Sequence, residues 1–265
     1  QQLIYFEAAG NERADPDGPG GLEAPVCGMF STISSPATAK NSIAVGAINS
    51  NNNTLTGFTS LGPTDDGRLK PDITAPGCQS NGDGGITSPS FLDANDDRDL
   101  DVGETQNAYV VKCGTSMATP VVAGATGLLI EQWRSTRGAG AIPLPHTVKA
   151  ILVHTSNDLG NAGPDYSFGW GALDAQAAVD LVIADDTAAL IHVDQVDVGD
   201  TDFYTFNSNG SGNVKVTIAW DDPPATRLAA WTLINDLDLR LTDPDGIVYQ
   251  PFILNPAIPG NAATN

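Results

Sequence analysis

The stretch "CGTSMATP", residues 113–120, contains the side chain best suited to nucleophilic chemistry. Ser116 stands in a glycine-containing turn directly before an apolar run, so we expect its hydroxyl at the first turn of a helix. The unpaired N–H groups and the dipole at a helix N-terminus favour negative charge. A serine attacks a carbonyl only if a base takes its proton and donors stabilise the oxyanion that forms. This turn therefore predicts a nucleophile together with one oxyanion donor.

The side-chain amide of Asn11 is the predicted second donor. Asn11 ends the apolar stretch "LIYFEAAGN", residues 3–11, which indicates a strand. Open parallel sheets bind their ligands at the carboxyl ends of the strands. We therefore expect Asn11 and Ser116 to meet at that edge of a sheet.

The sequence around Ser116 offers no obvious base. The three histidines, His146, His154 and His192, all follow the serine. In α/β-hydrolases the acid and the histidine also follow the serine, but the serine stands in a G-x-S-x-G turn, whereas Ala118 occupies the second glycine position here. An esterase of that kind is therefore a less favoured alternative.

Four blocks occur in order along the chain: "AAGNE", "SPATAKNSIAVGA", "LGPTDDGRLKPDITAPG" and "GTSMATP". Together they resemble the C-terminal half of the subtilisin-like serine proteases, the subtilases. The resemblance implies that Ser116 is the nucleophile and that Asn11 supplies the oxyanion-hole amide. It also implies a set of substrate-binding residues, of which the first three line one wall of the specificity pocket: Ala8, Ala9, Gly10, Ser34 and Thr115.

In subtilases the catalytic residues follow the order Asp, His, Ser, and the first two precede the "AAGN" block. The resemblance thus implies an endopeptidase that acts on protein or peptide substrates through an acyl-enzyme on Ser116, with Asp and His in an N-terminal half outside this chain. We expect the chain alone to be nearly inactive. The alternative from another class is a secreted binding or surface protein that has no catalytic activity.

Short apolar runs alternate with helical patterns over residues 1–186, as in a parallel sheet covered by helices. One such run, "SIAVGAI", residues 42–48, predicts a strand. The stretch "MATPVVAGATGLLIEQWR", residues 117–134, is apolar or small nearly all round and predicts a buried helix. Residues 145–155 predict another helix, whose inner face carries Val148, Ile151 and Leu152. The predicted fold class is α/β, a partial subtilisin-like parallel sheet with helices on both faces.

Residues 187–265 alternate apolar and polar residues with the period of strands, for example at Val214, Val216 and Ile218. The "DPDG" stretch, residues 243–246, predicts a turn because proline restricts φ and glycine accepts positive φ. Residues 218–246 are similar to the β-barrel domain that follows the catalytic domain in a subgroup of alkaline subtilases. We therefore predict an incomplete all-β sandwich or jelly roll as a second domain.

The acidic stretch "DANDDRDLDVGE", residues 93–104, predicts a structural Ca²⁺ site. Oxygen ligands at alternating positions, closed by a final glutamate, form an EF-hand-type loop. The matching residues are Asp93, Asn95, Asp97, Asp99, Asp101 and Glu104. Arg98 stands where such loops have glycine, and no clear helices flank the stretch, so a solvated acidic insertion is the competing interpretation.

Composition restricts the partners and the location of the protein. The chain has 32 acidic against 12 basic residues and a formal net charge of −20, which argues against nucleic acid and anionic membranes as partners. No apolar run approaches the roughly 20 residues of a membrane span. A chain rich in turns and poor in basic residues suits a secreted protein, and a high-salt habitat would select the same balance, so composition does not separate the two.

Three cysteines are too few for a disulfide scaffold and lack the spacing of a zinc site. Cys78 follows "TAPG" and Cys113 precedes "GTS", in two segments that could run side by side. We hypothesise a Cys78–Cys113 disulfide beside the nucleophile, with Cys27 left over.

Overall fold

A computed structural model describes residues 3–13, 29–80, 84–90, 108–208, 210, 212–227 and 229–265. Three parallel strands form its main sheet, in the order β1 (Phe6–Ala8), β2 (Ile43–Asn49) and β3 (Ile73–Cys78). All seven residues of β2 are buried, because β2 lies between two neighbours and both of its faces are covered. The strands predicted near residues 3–11 and 42–48 are both present, the first over a shorter range.

Alternate residues of β2 face two different cores, as the period of a strand requires. Val45 and Ala47 belong to the larger core, which they share with the helices. Ala44 faces the other way and packs in a smaller cluster with Ala9. The remaining members of the smaller cluster, Ile33 and Ala37, come from a segment that has no helix.

An antiparallel hairpin follows the sheet, and three helices come after it. The hairpin consists of β4 (Ile86–Ser90) and β5 (Ala108–Lys112), and the helices are α1 (Thr115–Arg137), α2 (Pro145–Thr155) and α3 (Ala175–Ala188). Pro145 opens α2, where a missing N–H costs least. Asp174 caps α3 by accepting the Ala177 N–H at 2.9 Å. Of the helices described, none combines the length and the hydropathy that a membrane span requires.

All three helices contribute to a single core on one face of the sheet. Its helical members are Ala118, Val122, Leu129, Trp133, Val148, Ile151, Leu152, Ala178 and Val182. The inner face predicted for α2 is therefore confirmed. Helices were predicted on both faces of the sheet, but within the described residues they lie on one face only. On the other face Ala44 packs with Ala9, Ile33 and Ala37, so a segment without a helix covers this part of it.

The prediction that α1 is buried all round is wrong within the described part of the chain. Leu128 has 60% of its surface exposed and Val121 has 36%. A Cβ built on Gly124 or Gly127 would have no atom within 4 Å. Only the face towards the sheet and α3 is covered, since no other described element packs against the opposite one.

A buried ionic cluster connects β3 to α2. Asp72 Oδ2 lies 2.6 Å from Lys70 Nζ, and Asp72 Oδ1 lies 2.8 Å from Lys149 Nζ. The Ala44 N–H also donates to Asp72, at 2.7 Å. Burial alone would raise the pKa of the Asp72 carboxyl, but the charges of Lys149 and Lys70 outweigh it and lower that pKa. The carboxylate is therefore held ionised between two elements of the fold.

The predicted all-β module is not confirmed over residues 187–265. The only strands described there are β6 (Leu241–Thr242) and β7 (Val248–Tyr249), joined by the predicted turn, in which the Gly246 N–H donates to Asp243 O at 3.0 Å. Val214, Val216 and Ile218 remain 41–44% exposed. A sandwich forms when a second sheet covers such residues, and no described element covers these.

The C-terminal residues are attached to the sheet domain through polar contacts. Lys40 Nζ lies 2.5 Å from Asp222 Oδ2, and Asn41 exchanges hydrogen bonds with the Asp222 backbone at 3.0 and 3.1 Å. Asp222 also accepts N–H groups from Ile234 and Asn235. Asp222 is 4% exposed, so it is an anchor between two parts of the chain rather than a solvent-facing residue.

Candidate active site

Ser116 is the second residue of α1 and is exposed. Gly114 precedes the helix with φ 155° and ψ 160°, and Thr115 is fully buried beneath it. The first N–H groups of a helix have no partner within the helix, so this turn presents free donors beside an accessible hydroxyl. The Ser116 side chain forms no hydrogen bond with any described residue.

The end of β3 holds this turn in place. The Gly114 N–H donates to Gly77 O at 3.0 Å. A Cβ on Gly77 would lie 2.7 Å from Gly114 O and 2.7 Å from Ala47 Cβ, closer than real Cβ atoms approach. The start of α1 thus packs against the carboxyl end of the sheet only because Gly77 has no side chain.

Asn11 follows β1 and reaches the same turn. Its Oδ1 accepts hydrogen bonds from Thr115 N at 3.0 Å and from Thr115 Oγ1 at 3.1 Å. A backbone N–H can only donate, so this contact determines which end of the carboxamide is the oxygen. The Nδ2 donor is consequently turned away from Thr115.

Two donors lie on the same side of Gly114. A Cβ built on Gly114 would lie 3.5 Å from Met117 Sδ, 3.6 Å from the Ser116 nitrogen and 3.7 Å from Asn11 Nδ2. The Ser116 nitrogen and the Asn11 amide are therefore close to one point beside the Ser116 hydroxyl. Such a pair of preorganised donors stabilises the oxyanion of acyl transfer.

The residues of the predicted pocket wall lie beside these donors. Ala8 ends β1, and Ala9 is fully buried in the smaller core. The Gly10 N–H donates to Thr115 Oγ1 at 3.3 Å, and Gly10 O accepts the Ser60 N–H at 2.9 Å. The strand that leads into Asn11 is therefore held from both sides.

The contact between Ser60 and Glu12 was not predicted from the sequence. Ser60 Oγ accepts the Glu12 N–H at 3.1 Å and donates to Glu12 Oε2 at 2.9 Å. A Cβ on Gly10 would lie 2.3 Å from that carboxylate oxygen. Glu12 ends the "AAGNE" block, but Ser60 belongs to none of the four blocks, and the two residues come together only when the two distant segments pair.

The remaining predicted residues are not brought to this turn by hydrogen bonds. Ser34 is half-buried, and its carbonyl accepts the Ala37 N–H at 3.0 Å. It forms no hydrogen bond with Ser116 or Asn11. The predicted Ca²⁺ ligands in residues 93–104 lie outside the described residues. The part of the chain that is described contains no group of three or more His, Cys, Asp or Glu side chains arranged to hold a metal ion.

Each of the three histidines has a partner elsewhere. His146 Nδ1 lies 2.9 Å from Asp221 Oδ2, and His154 Nδ1 lies 2.9 Å from Thr217 Oγ1. The His192 ring packs against Tyr204, with centroids 4.7 Å apart. Burial, followed by the Lys215 charge, lowers the pKa of His154. None of the three forms a hydrogen bond with Ser116.

Cys78 and Cys113, which are 35 residues apart in sequence, form a disulfide. It joins the end of β3 to the residue after β5, directly before Gly114. The hypothesised pairing is thus the one that the structure has. Cys27 lies outside the described residues.

Comparison with known proteins found a matching family model and related sequences. A model of the subtilase family matches residues 1–171. The chain is 28% identical over 198 residues to the serine protease/ABC transporter B family protein tagA of Dictyostelium discoideum, covering 69% of this chain and 11% of that protein. It is 32% identical over 154 residues to serine protease AprX of Bacillus subtilis, covering 56% of this chain and 32% of that protein.

Subtilisin E of Bacillus subtilis is similarly related, at 32% identity over 176 residues, covering 66% of this chain and 33% of that protein. The aligned part of this chain corresponds to between about a tenth and a third of the length of these three relatives.

Proposed function

Because this chain belongs to the subtilase family, we propose that the protein that carries it is a serine endopeptidase acting through an acyl-enzyme on Ser116. The observation that carries the proposal is that Asn11 Nδ2 and the Ser116 nitrogen both lie within 3.7 Å of the position of a Cβ on Gly114, next to an exposed Ser116. This is the arrangement that acyl transfer requires: a nucleophile with two donors aimed at the developing oxyanion.

In the proposed mechanism a substrate carbonyl enters the space in front of Gly114. The Ser116 oxygen attacks the carbonyl carbon, and the negative charge moves to the oxygen that faces Asn11 Nδ2 and the Ser116 N–H. Thr115 does not touch the substrate oxygen in this scheme. It holds the acceptor end of the Asn11 carboxamide, so that the donor end needs no reorganisation when charge develops.

The base is a histidine from outside this sequence, oriented by an aspartate. Two observations support this part of the proposal: each histidine of the chain is engaged elsewhere, and the match covers only about a third of AprX and of subtilisin E. The histidine takes the Ser116 proton and later returns it to the leaving amine. This chain by itself would have almost no activity.

A fluorophosphonate probe on the intact protein tests the proposal. We expect the wild type and Ser135→Ala to be labelled and Ser116→Ala to remain unlabelled. Ser135 is a matched control because it is an exposed serine on the same helix, far from the turn. No labelling of the wild type would favour the non-catalytic binding protein, and strong Ser116-dependent labelling of residues 1–265 alone would place the base within this chain.

Two further properties are proposed with less direct support. Residues 93–104 bind Ca²⁺ as a structural ion, because six of their side chains match the ligand pattern of a calcium loop. Calorimetry should detect Ca²⁺ binding that Asp93→Ala with Glu104→Ala removes, and equal binding by that variant would contradict this.

The protein is secreted, which the Cys78–Cys113 disulfide supports since such bonds persist in oxidising compartments.

A further inference from the structure

The Cys78–Cys113 disulfide is placed where it constrains the chain that enters α1. Cys113 is separated from Ser116 by only Gly114 and Thr115, and Cys78 is the last residue of β3. The disulfide is thus the covalent link between the proposed nucleophile's turn and the rigid sheet. Nothing in the proposed chemistry uses either sulfur.

A hydrogen bond adjacent to the disulfide joins the same two segments. The Gly114 N–H donates to Gly77 O at 3.0 Å, and each of these two residues is next to a cysteine of the disulfide. Two neighbouring residue pairs are therefore linked, one covalently and one by a single hydrogen bond. Without the disulfide, that hydrogen bond and the packing of Gly77 against Gly114 would be the restraints left on the β3 side of the turn.

The opposite side of the turn depends on the position of Thr115. Its N–H and hydroxyl both donate to Asn11 Oδ1, and its hydroxyl accepts the Gly10 N–H. A shift of Cys113 and Gly114 therefore displaces the Ser116 N–H and releases the Asn11 carboxamide together. Both oxyanion donors depend on one short stretch of backbone.

The disulfide is also accessible to solvent. Cys113 is exposed and Cys78 is partly exposed. A dissolved thiolate can therefore approach the Cys113 sulfur without unfolding the core. Most structural disulfides beneath a packed core lack this access.

We propose that the Cys78–Cys113 disulfide is a positioning bond for Ser116, and that small thiols reversibly switch off the protease by reducing it. This rests on the proposed function. One thiolate attacks a sulfur of the disulfide and forms a mixed disulfide, which releases the other cysteine as a thiolate. A second thiol then displaces the first cysteine, so that two thiols become one disulfide and the protein gains two thiol groups.

The expected effect of reduction is on turnover. Misplacement of a reacting group by about 1 Å can cost up to about a hundredfold, so we expect kcat to fall between about tenfold and a hundredfold. KM should change less than kcat, because Ala8 and Ala9 of the pocket wall belong to β1 and the smaller core, neither of which the disulfide joins. If the bond had only a general stabilising role, its reduction would lower the thermal midpoint and leave kcat unchanged at temperatures well below that midpoint.

The test uses the intact protein, assayed on a peptide substrate well below the unfolding midpoint of its reduced form. Kinetics are measured with and without dithiothreitol and again after reoxidation, for the wild type, Cys78→Ser with Cys113→Ser, and Cys27→Ser. We expect reversible loss of kcat in the wild type and in Cys27→Ser. The double variant should have a low kcat that dithiothreitol does not change. Hydrogen exchange of peptides covering residues 108–119 should rise in the wild type on reduction.

Unchanged kcat on reduction, with thiol titration showing that the bond is open, would overturn the proposal. So would a rise in KM at constant kcat, or sensitivity to dithiothreitol in the double variant. If the double variant does not fold, the reversible wild-type measurement decides alone. An oxidised wild type without any activity contradicts the proposed function instead, and the hydrogen exchange then still reports whether the bond orders the turn.

Discussion

Asn11 carries a donor and an acceptor on one side chain, and the two ends have different tasks. Thr115 occupies the acceptor with its N–H and its hydroxyl, at 3.0 and 3.1 Å. The donor, Nδ2, is left on the side of Gly114 where the Ser116 nitrogen also lies. An asparagine at this position thus supplies an oriented donor because a neighbouring residue, itself fully buried, determines how the carboxamide is turned.

The substitution Asn11→Asp separates these two tasks. Aspartate keeps the oxygen that Thr115 contacts but replaces the donor with a second, negatively charged oxygen, which would repel an oxyanion. Removal of one oxyanion donor in subtilisin costs about 10²- to 10³-fold in kcat, and we adopt that magnitude for the intact protein. We expect such a loss in both Asn11→Asp and Asn11→Ala, with KM nearly constant, in steady-state assays. Nearly full activity of either variant would remove Asn11 from the mechanism.

At the scale of the elements, the critical contact is the one between the end of β3 and the start of α1. The two approach so closely that a methyl group at Gly77 would collide with Gly114 O and with Ala47 Cβ. Both obstacles are backbone or buried groups that cannot turn away. The glycine at residue 77 is therefore required by packing between elements rather than by its own backbone conformation.

Gly77→Ala should destabilise the fold through this collision. Overpacking of this kind costs about 1–3 kcal/mol. Gly57→Ala is the matched control, because a Cβ at residue 57 would meet no atom within 4 Å and φ there is not positive. We expect chemical denaturation to show a lower free energy of unfolding for Gly77→Ala and no loss for Gly57→Ala. Equal stability of the two variants would mean that α1 does not lie where it is described.

At the scale of the whole molecule, the C-terminal residues are anchored by carboxylates. Asp222 pairs with Lys40 and accepts two backbone N–H groups, while Asp66 binds Arg68 and both donors of Thr232. Burial would raise the pKa of Asp222, but hydrogen bonds from Lys40, Ile234 and Asn235 and the Lys40 charge lower it. The attachment thus depends on the ionised form.

Acid should weaken this attachment. A carboxyl whose pKa is lowered by folding stabilises the folded state above its unfolded value of 3.8, and that stabilisation is lost as the pH falls from there through the folded value. We expect limited proteolysis by pepsin within residues 189–265 to accelerate below about pH 4. Asp222→Asn should already be cleaved faster by trypsin at pH 7. Asp238→Asn, at an 82% exposed side chain, is the control that should behave as wild type.

Local patterns predicted much of the framework. The bounds of α2 and the inner face of its helix followed from apolar spacing and from Pro145 at its start. The buried strand β2 followed from the run of apolar and small residues at 42–48, which suits a strand covered on both faces. The all-β module predicted over residues 187–265 is not confirmed, since alternation along the chain cannot show whether a second layer covers the apolar face.

By itself, the sequence determined which side chains at the candidate site have reactive or donor groups: Ser116 at a helix start and Asn11 after a strand. Only the tertiary structure decided how they are oriented, because Thr115 meets Asn11 across 104 residues and Lys40 meets Asp222 across 182. Apolar periodicity is a property of neighbours along the chain and can be read from the sequence. The direction of a carboxamide depends on hydrogen bonds between distant segments, and these exist only once the chain has folded.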